Sequence, residues 1–319
     1  MGQETPLWQP SAERQAGARL SSFTAAVKRR WQVDCADYPA LWRWSLERPE
    51  AFWTSVWEEC GVLGDPGSTV LEEGTRMPGA RWFPQARLNY AENLLRRRDD
   101  GDALVFWGEN RISRRLSHGE LHAAVSRCAQ ALRVAGVGRG DRVAGYLPNM
   151  PEALVAMLAT ASLGAIWSSA SPDFGVQGVL DRFGQIEPKV LFCVDGYWYN
   201  GKPVDCMARN IEVARQMPGV ARTVVVSCLD EAPRAELIRD GIRHADFVAP
   251  FVAGEIHFER LPFDHPLFIM FSSGTTGVPK CIVHCHGGAL LQHLKEHQLH
   301  GDVRPDDRIF YFTTCGWMM

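Results

Sequence analysis

From residue 101 onward the chain alternates short apolar runs with longer amphipathic stretches, and that alternation decides its fold class. ALVFWGEN, GDRVAGYLP, AIWSSAS, KVLFCVD, TVVVSC and HPLFIMFSS read as strands. LSHGELHAAVSRCAQALRVAG, PEALVAMLATASLG and GVQGVLDRFGQIE carry apolar residues at helical spacing. The first of these helices opens on a capping box, Ser117 with Glu120, and closes at Gly136. The second has Pro151 in its first turn. Residues 205–217 and 232–245 read as further helices, CIVHCH as a strand, GGALLQHLKEHQLHG as a helix and DRIFYFTTCGW as a last strand. Apolar strands separated by helices predict an α/β fold in α/β/α layers, with largely parallel sheets covered on both faces.

The preceding residues follow another pattern. Residues 1–37 read as a loosely ordered arm with one amphipathic stretch, FTAAVKRRW. Residues 38–96 are rich in tryptophan (Trp42, Trp44, Trp53, Trp57, Trp82), and LWRWSLERPEAFWTSVWEECG predicts two short helices broken at Pro49. Aromatics at that spacing serve packing, so this extension is expected to dock on the larger unit, 101–319, rather than fold alone.

Composition excludes several functions. A net charge of −3 and the mixed run Arg96-Arg97-Arg98-Asp99-Asp100 give no nucleic-acid or membrane-surface patch. The nine cysteines include no CxxC and sit mostly in apolar runs, which predicts a reduced, cytoplasmic protein without a disulfide framework. The N-terminus has no signal-peptide core. Residues 153–172 lack charge but contain several Ser and Thr, Gly164 and Pro172, so they predict a buried helix running into a strand, not a membrane span.

Directly after the strand PLFIMF comes SSGTTGVPK, residues 272–280. Glycines let backbone N–H groups approach an anion, hydroxyls add donors, and the lysine adds a mobile charge. The spacing is not that of a Walker A loop, because Lys280 follows Pro279 and precedes Cys281. CIVHCH predicts a strand immediately after, so the loop is read as a flap between two strands. On composition alone, phosphate binding and a plain hairpin turn both remain open. Nearby Cys281, His284, Cys285, His286, His293, His297 and His300 invite a metal reading, with His284 and His286 on one strand face and His293 and His297 one helical turn apart, but tetrahedral zinc needs four convergent ligands and no metal site is assigned. His284 and His286 read as core groups that steady the loop.

SSGTTGVPK is similar to the signature loop of the adenylate-forming enzymes, the superfamily of acyl-CoA synthetases, luciferases and peptide-synthetase adenylation domains. The segment ending WFPQARLNYAENLL resembles the N-terminal extension of its acetyl-CoA synthetase group. GDRVAGYLPNMPEALVAMLATASLGAIWSSASPDFGVQGVLDRFGQIEPKVLF and HPLFIMFSSGTTGVPKCIVHCHGGALLQHLKEHQLHGD resemble the branch of that group acting on acetoacetate. The resemblance covers residues 38–319.

It implies an acid–thiol ligase that joins acetoacetate to ATP, releases pyrophosphate and passes the acyl group to coenzyme A, with Mg²⁺ on the phosphates and no obligate protein partner. It implies that Ser272, Ser273, Gly274, Thr275, Thr276 and Gly277 cover the leaving pyrophosphate and that Lys280 stabilises its charge. A further match runs from Asp195 to Lys202. Gly201 and Lys202 stand where relatives contact coenzyme A, and Tyr199 stands where they carry an arginine, which removes one phosphate partner. The segment for the adenine and the Mg²⁺-binding glutamate, the ribose aspartate and the small C-terminal domain with its adenylation lysine, all implied by the resemblance, are not found in these residues. The expectation is therefore an N-terminal fragment, inactive alone. A relative acting on acetate or propionate and a non-catalytic phosphate-binding remnant are the competing readings.

Overall fold

The computed structural model describes residues 7–109, 111–272 and 277–317. Arg19–Trp31 (α1) is a helix, not part of a loose arm. Phe23 and Val27, one turn apart, are buried, and Phe23 meets Phe52 edge-on at 6.0 Å. The backbone N–H of Arg19 donates to Asp302 across the fold at 2.9 Å. The two tryptophan-rich helices are Tyr38–Glu47 (α2), capped by Asp37, and Pro49–Glu59 (α3), which restarts at the predicted proline. Trp57 of α3 packs on Phe83 at 5.1 Å, and Phe83 packs on Phe263 at 5.2 Å. The extension thus docks through an aromatic stack.

Asp102–Gly108 (β1) and Ile112–Ser117 (β2) form an antiparallel hairpin. The second strand is masked in the sequence by Arg114 and Arg115. Arg114 is satisfied by a two-pronged ion pair with Glu152 at 2.7 and 2.8 Å. Ser117 then caps His118–Val134 (α4), with both capping-box bonds formed.

The main sheet follows in order. Arg142–Tyr146 (β3) leads through Pro151–Ser162 (α5) to Ile166–Ala170 (β4). Val176–Ile186 (α6) leads to Val190–Val194 (β5), which runs into a two-stranded ribbon, Gly196–Tyr199 (β6) with Lys202–Asp205 (β7). Met207–Gln216 (α7) precedes Arg222–Val226 (β8) and Gly241–Arg243 (β9). Pro266–Ser272 (β10), Lys280–Cys285 (β11) and His286–Leu294 (α8) follow, and α8 runs on into a π-helical turn at Lys295–His300. The seven-stranded sheet has the order β9-β8-β5-β3-β4-β10-β11, parallel except for the β10/β11 pair. Val190, Phe192 and Val194 face one apolar layer with α4 and α5, while Leu191 and Cys193 face the other with α6 and α7. These are the predicted α/β/α layers. No helix among the described residues is long and apolar enough to cross a membrane.

Two expected elements differ. Residues 232–245 are not one helix but a 3₁₀ turn at Ala235–Leu237, β9, and a short helix at His244–Val248. Asp240 has φ +52°, and a Cβ on Gly241 would lie 2.0 Å from the Ala235 carbonyl oxygen, so the chain must turn there. The run DRIFYFTTCGW is not a strand. It finds no ladder partner among the described residues, and Phe310 and Phe312 are 85% and 92% exposed.

Candidate active site at the carboxyl edge of the sheet

In the main sheet β3 continues to β4 on one side, and the chain then crosses back to β5 on the other. Winding of that kind opens a crevice beyond the carboxyl ends of the strands. Ser272 ends β10 at this edge, and Lys280 pairs with it as the first residue of β11. The loop therefore springs from the top of the sheet and returns as an edge strand, as the sequence predicts. Gly277, in the left-handed region at φ +103°, and exposed Lys280 are described. Ser273, Gly274, Thr275 and Thr276 lie outside the described residues.

The second nominated stretch also starts at this edge. Asp195 follows β5, is 3% exposed, and accepts the backbone N–H groups of Cys228, Leu229 and Asp230 at 2.7–3.2 Å. Burial pushes its carboxyl up, against those N–H bonds. Asp195 thus ties β5 to the following loop, and its position leaves it no exposed oxygen for a ligand. Asn200 and Gly201, both at positive φ, form the turn of the β6/β7 ribbon. Their N–H groups donate to the Glu109 carboxylate at 2.6 and 2.7 Å. That contact from the β1/β2 hairpin has no signal in the sequence. Tyr199 and Lys202 are exposed beside the turn.

Residues 313–317 dock on the same edge. Ser169 Oγ donates to the Cys315 carbonyl at 2.6 Å, and Asn149 donates to the Thr313 carbonyl. Beside them lies a cleft of about 750 Å³, walled by Leu104, Phe106, Met157, Trp167, Phe268 and Met270. Asn149, Ser169, His284, Gln292 and His293 supply its polar atoms. A mostly apolar hollow with a few polar groups suits a small organic ligand.

The histidines do not converge. His286 opens α8 and is fully buried, its Nδ1 accepting the Tyr90 N–H at 3.3 Å. His265 stands 5.6 Å away and donates through Nε2 to the Gly164 carbonyl at 2.8 Å. His293 meets the Tyr90 hydroxyl at 3.0 Å, and His284 is not the core group expected but lies exposed on the cleft, because its strand alternation turns it to that face. Burial, aided by His265, pulls the His286 pKa down to about 3. His286 therefore folds neutral, and its contribution is full above pH ~6.5 and is lost as pH falls toward 3. Urea unfolding should show a loss from this group of roughly 2 kcal/mol between pH 6.5 and 5, at about 1.4 kcal/mol per unit. His286→Asn should lack that component. An equal pH slope in both proteins would assign it elsewhere.

Next to His286, a Cβ on Gly287 would lie 2.1 Å from the Phe263 ring. Gly287→Ala should cost about 2 kcal/mol, read as a lower unfolding midpoint, because the ring is itself pinned by Phe83.

The main sheet, parallel but for one pair, thus carries SSGTTGVPK between the paired residues Ser272 and Lys280 at its carboxyl edge. The chain belongs to the AMP-binding enzyme family, whose model matches residues 91–319; the acetyl-coenzyme A synthetase N-terminus model matches residues 38–94. It is 55% identical over 319 residues to an acetoacetyl-coenzyme A synthetase of Rhizobium meliloti (strain 1021), covering 100% of this chain and 49% of that protein. It is 43% identical to an acetoacetyl-CoA synthetase of Danio rerio, covering 98% of this chain and 48% of the relative. The solved acetoacetyl-CoA synthetase from Streptomyces lividans superposes with a TM-score of 0.91 at 44% identity, over 98% of this chain and 48% of that one. The chain spans about half the length of these relatives.

Proposed function

We propose that this chain supplies the phosphate-gripping part of an ATP-dependent, AMP-forming acetoacetate–CoA ligase acting in the cytoplasm. The observation that carries the reading is the placement of Ser272 and Lys280 as paired residues at the carboxyl edge of the sheet, closing the glycine- and hydroxyl-rich loop. On this reading an acetoacetate oxygen attacks the α-phosphorus of ATP and the bond to pyrophosphate breaks. The coenzyme A thiolate then attacks the acyl carbon, and AMP leaves with the carboxyl oxygen's electron pair. Ser272, Ser273, Gly274, Thr275, Thr276 and Gly277 donate hydrogen bonds to the phosphates, and Lys280 balances the charge growing on pyrophosphate.

The described residues gather no cluster of three carboxylate, His or Cys groups. On this reading Mg²⁺ would neutralise phosphate charge as the bond to pyrophosphate breaks. For coenzyme A, Gly201 and Lys202 remain the proposed contacts. The turn N–H groups are already taken by Glu109, so Lys202 would carry the phosphate interaction.

The test is acyl-CoA formation by the full-length protein with ATP, coenzyme A and acetoacetate, set against acetate and propionate. Preference for acetate or propionate would overturn the substrate assignment. Purified 1–319 should form no acetoacetyl-CoA, because phosphate contacts alone do not orient the reacting groups. Measurable turnover by 1–319 would refute that division of labour.

A further inference from the structure

β11 is the edge strand of the main sheet, so its first residues have a ladder partner on one side only. Gln185, at the end of α6, reaches its start from 94 residues away. Its Nε2 donates to the Asp181 carbonyl on its own helix at 2.6 Å and to the Pro279 carbonyl at 2.9 Å. Its Oε1 accepts from the Cys281 thiol at 3.7 Å. Both donors and the acceptor of the amide are used. The two gripped residues are the neighbours of Lys280 on either side.

Strand alternation turns this grip into a direction. Phe271 and its partner Cys281 face α6, whereas Phe268, Met270 and His284 line the cleft on the opposite face. Ile282 and Lys280 share the parity of His284. Holding Cys281 against α6 therefore fixes Lys280 on the cleft face, and a twist of one residue at this unpaired edge would turn it away. A Cβ on Gly277 would meet nothing within 4 Å, and Val278 is 59% exposed, so neither anchors the returning arm of the loop.

We propose that Gln185 is a positioning residue for the adenylation step, aiming Lys280 at the leaving pyrophosphate through Pro279 and Cys281. This rests on the role proposed above for Lys280. The test is Gln185→Met in the full-length enzyme, which keeps the side chain's length and removes both donors. Gln185 is exposed, so folding should be unaffected. Acetoacetate-dependent ATP–pyrophosphate exchange should slow about tenfold with the KM for acetoacetate unchanged, the loss expected for two hydrogen bonds felt mainly in the transition state. Alkylation of Cys281, followed by peptide mass, should become faster in the unliganded protein. Unchanged exchange overturns the proposal, and so does slower exchange with Cys281 labelling unchanged. Lys280→Ala serves as the control. If it leaves exchange intact, the phosphate role fails, while faster Cys281 labelling in Gln185→Met would still establish the clamp.

Discussion

Lys280→Ala in the full-length protein should slow formation of the acyl adenylate on the order of 100-fold or more, with little change in the KM for acetoacetate. The lysine is the one cation that the sequence places on the returning arm of the loop, at residue 280 after SSGTTGVP. In the proposed role it would face a charge that grows only as the bond to pyrophosphate breaks, so its removal should raise the barrier more than it weakens ground-state binding. Lys280→Arg keeps the charge but replaces a compact ammonium by a planar fork, and should recover only part of the rate. The measurement is single-turnover adenylation together with pyrophosphate exchange. An effect confined to the acetoacetate KM would remove Lys280 from the phosphate site.

Much of this arrangement is legible in the sequence because it is local. The strand HPLFIMFSS, the loop and the strand CIVHCH are contiguous, so the hairpin that carries Ser272 and Lys280 follows from apolar runs and small residues alone. The Ser117 capping box and the restart at Pro49 are likewise set within a few residues. What the sequence hides is set by distant partners. Arg114 and Arg115 look wrong for a strand until Glu152 and Asp102 are placed beside them. Gln185 and Glu109 are ordinary surface residues by pattern, and only the fold brings them to the loop and to the ribbon turn. The run 307–312 has strand composition but no ladder partner among the described residues, so composition does not become structure there. Helix α1 reads as loose in the sequence because its apolar stripe is narrow. Phe23, Ala26 and Val27 are buried among polar neighbours, and their partners lie far along the chain.

The tryptophan-rich extension and the α/β unit should unfold together, and Phe83→Ala should destabilise both by about 4 kcal/mol. Phe83 is 1% exposed and lies between Trp57 of the extension and Phe263 of the α/β unit. Truncation empties a ring-sized space that neither neighbour can fill without leaving its own rotamer, and it also forfeits two aromatic contacts. The same junction is crossed by backbone: Leu88 and Leu261 exchange both hydrogen bonds, at 3.1 and 3.0 Å. Asn89, fully buried, donates to the Ala161 and Glu259 carbonyls at 3.0 Å each. Separating the two parts would therefore expose apolar surface and leave buried polar groups unpaired. Denaturant unfolding followed by tryptophan fluorescence and by far-ultraviolet circular dichroism should give one coincident transition, shifted to lower denaturant in Phe83→Ala. Fluorescence moving alone, with the circular dichroism transition in place, would mean that the extension is a separate unit and that the stack does not couple it to the α/β unit.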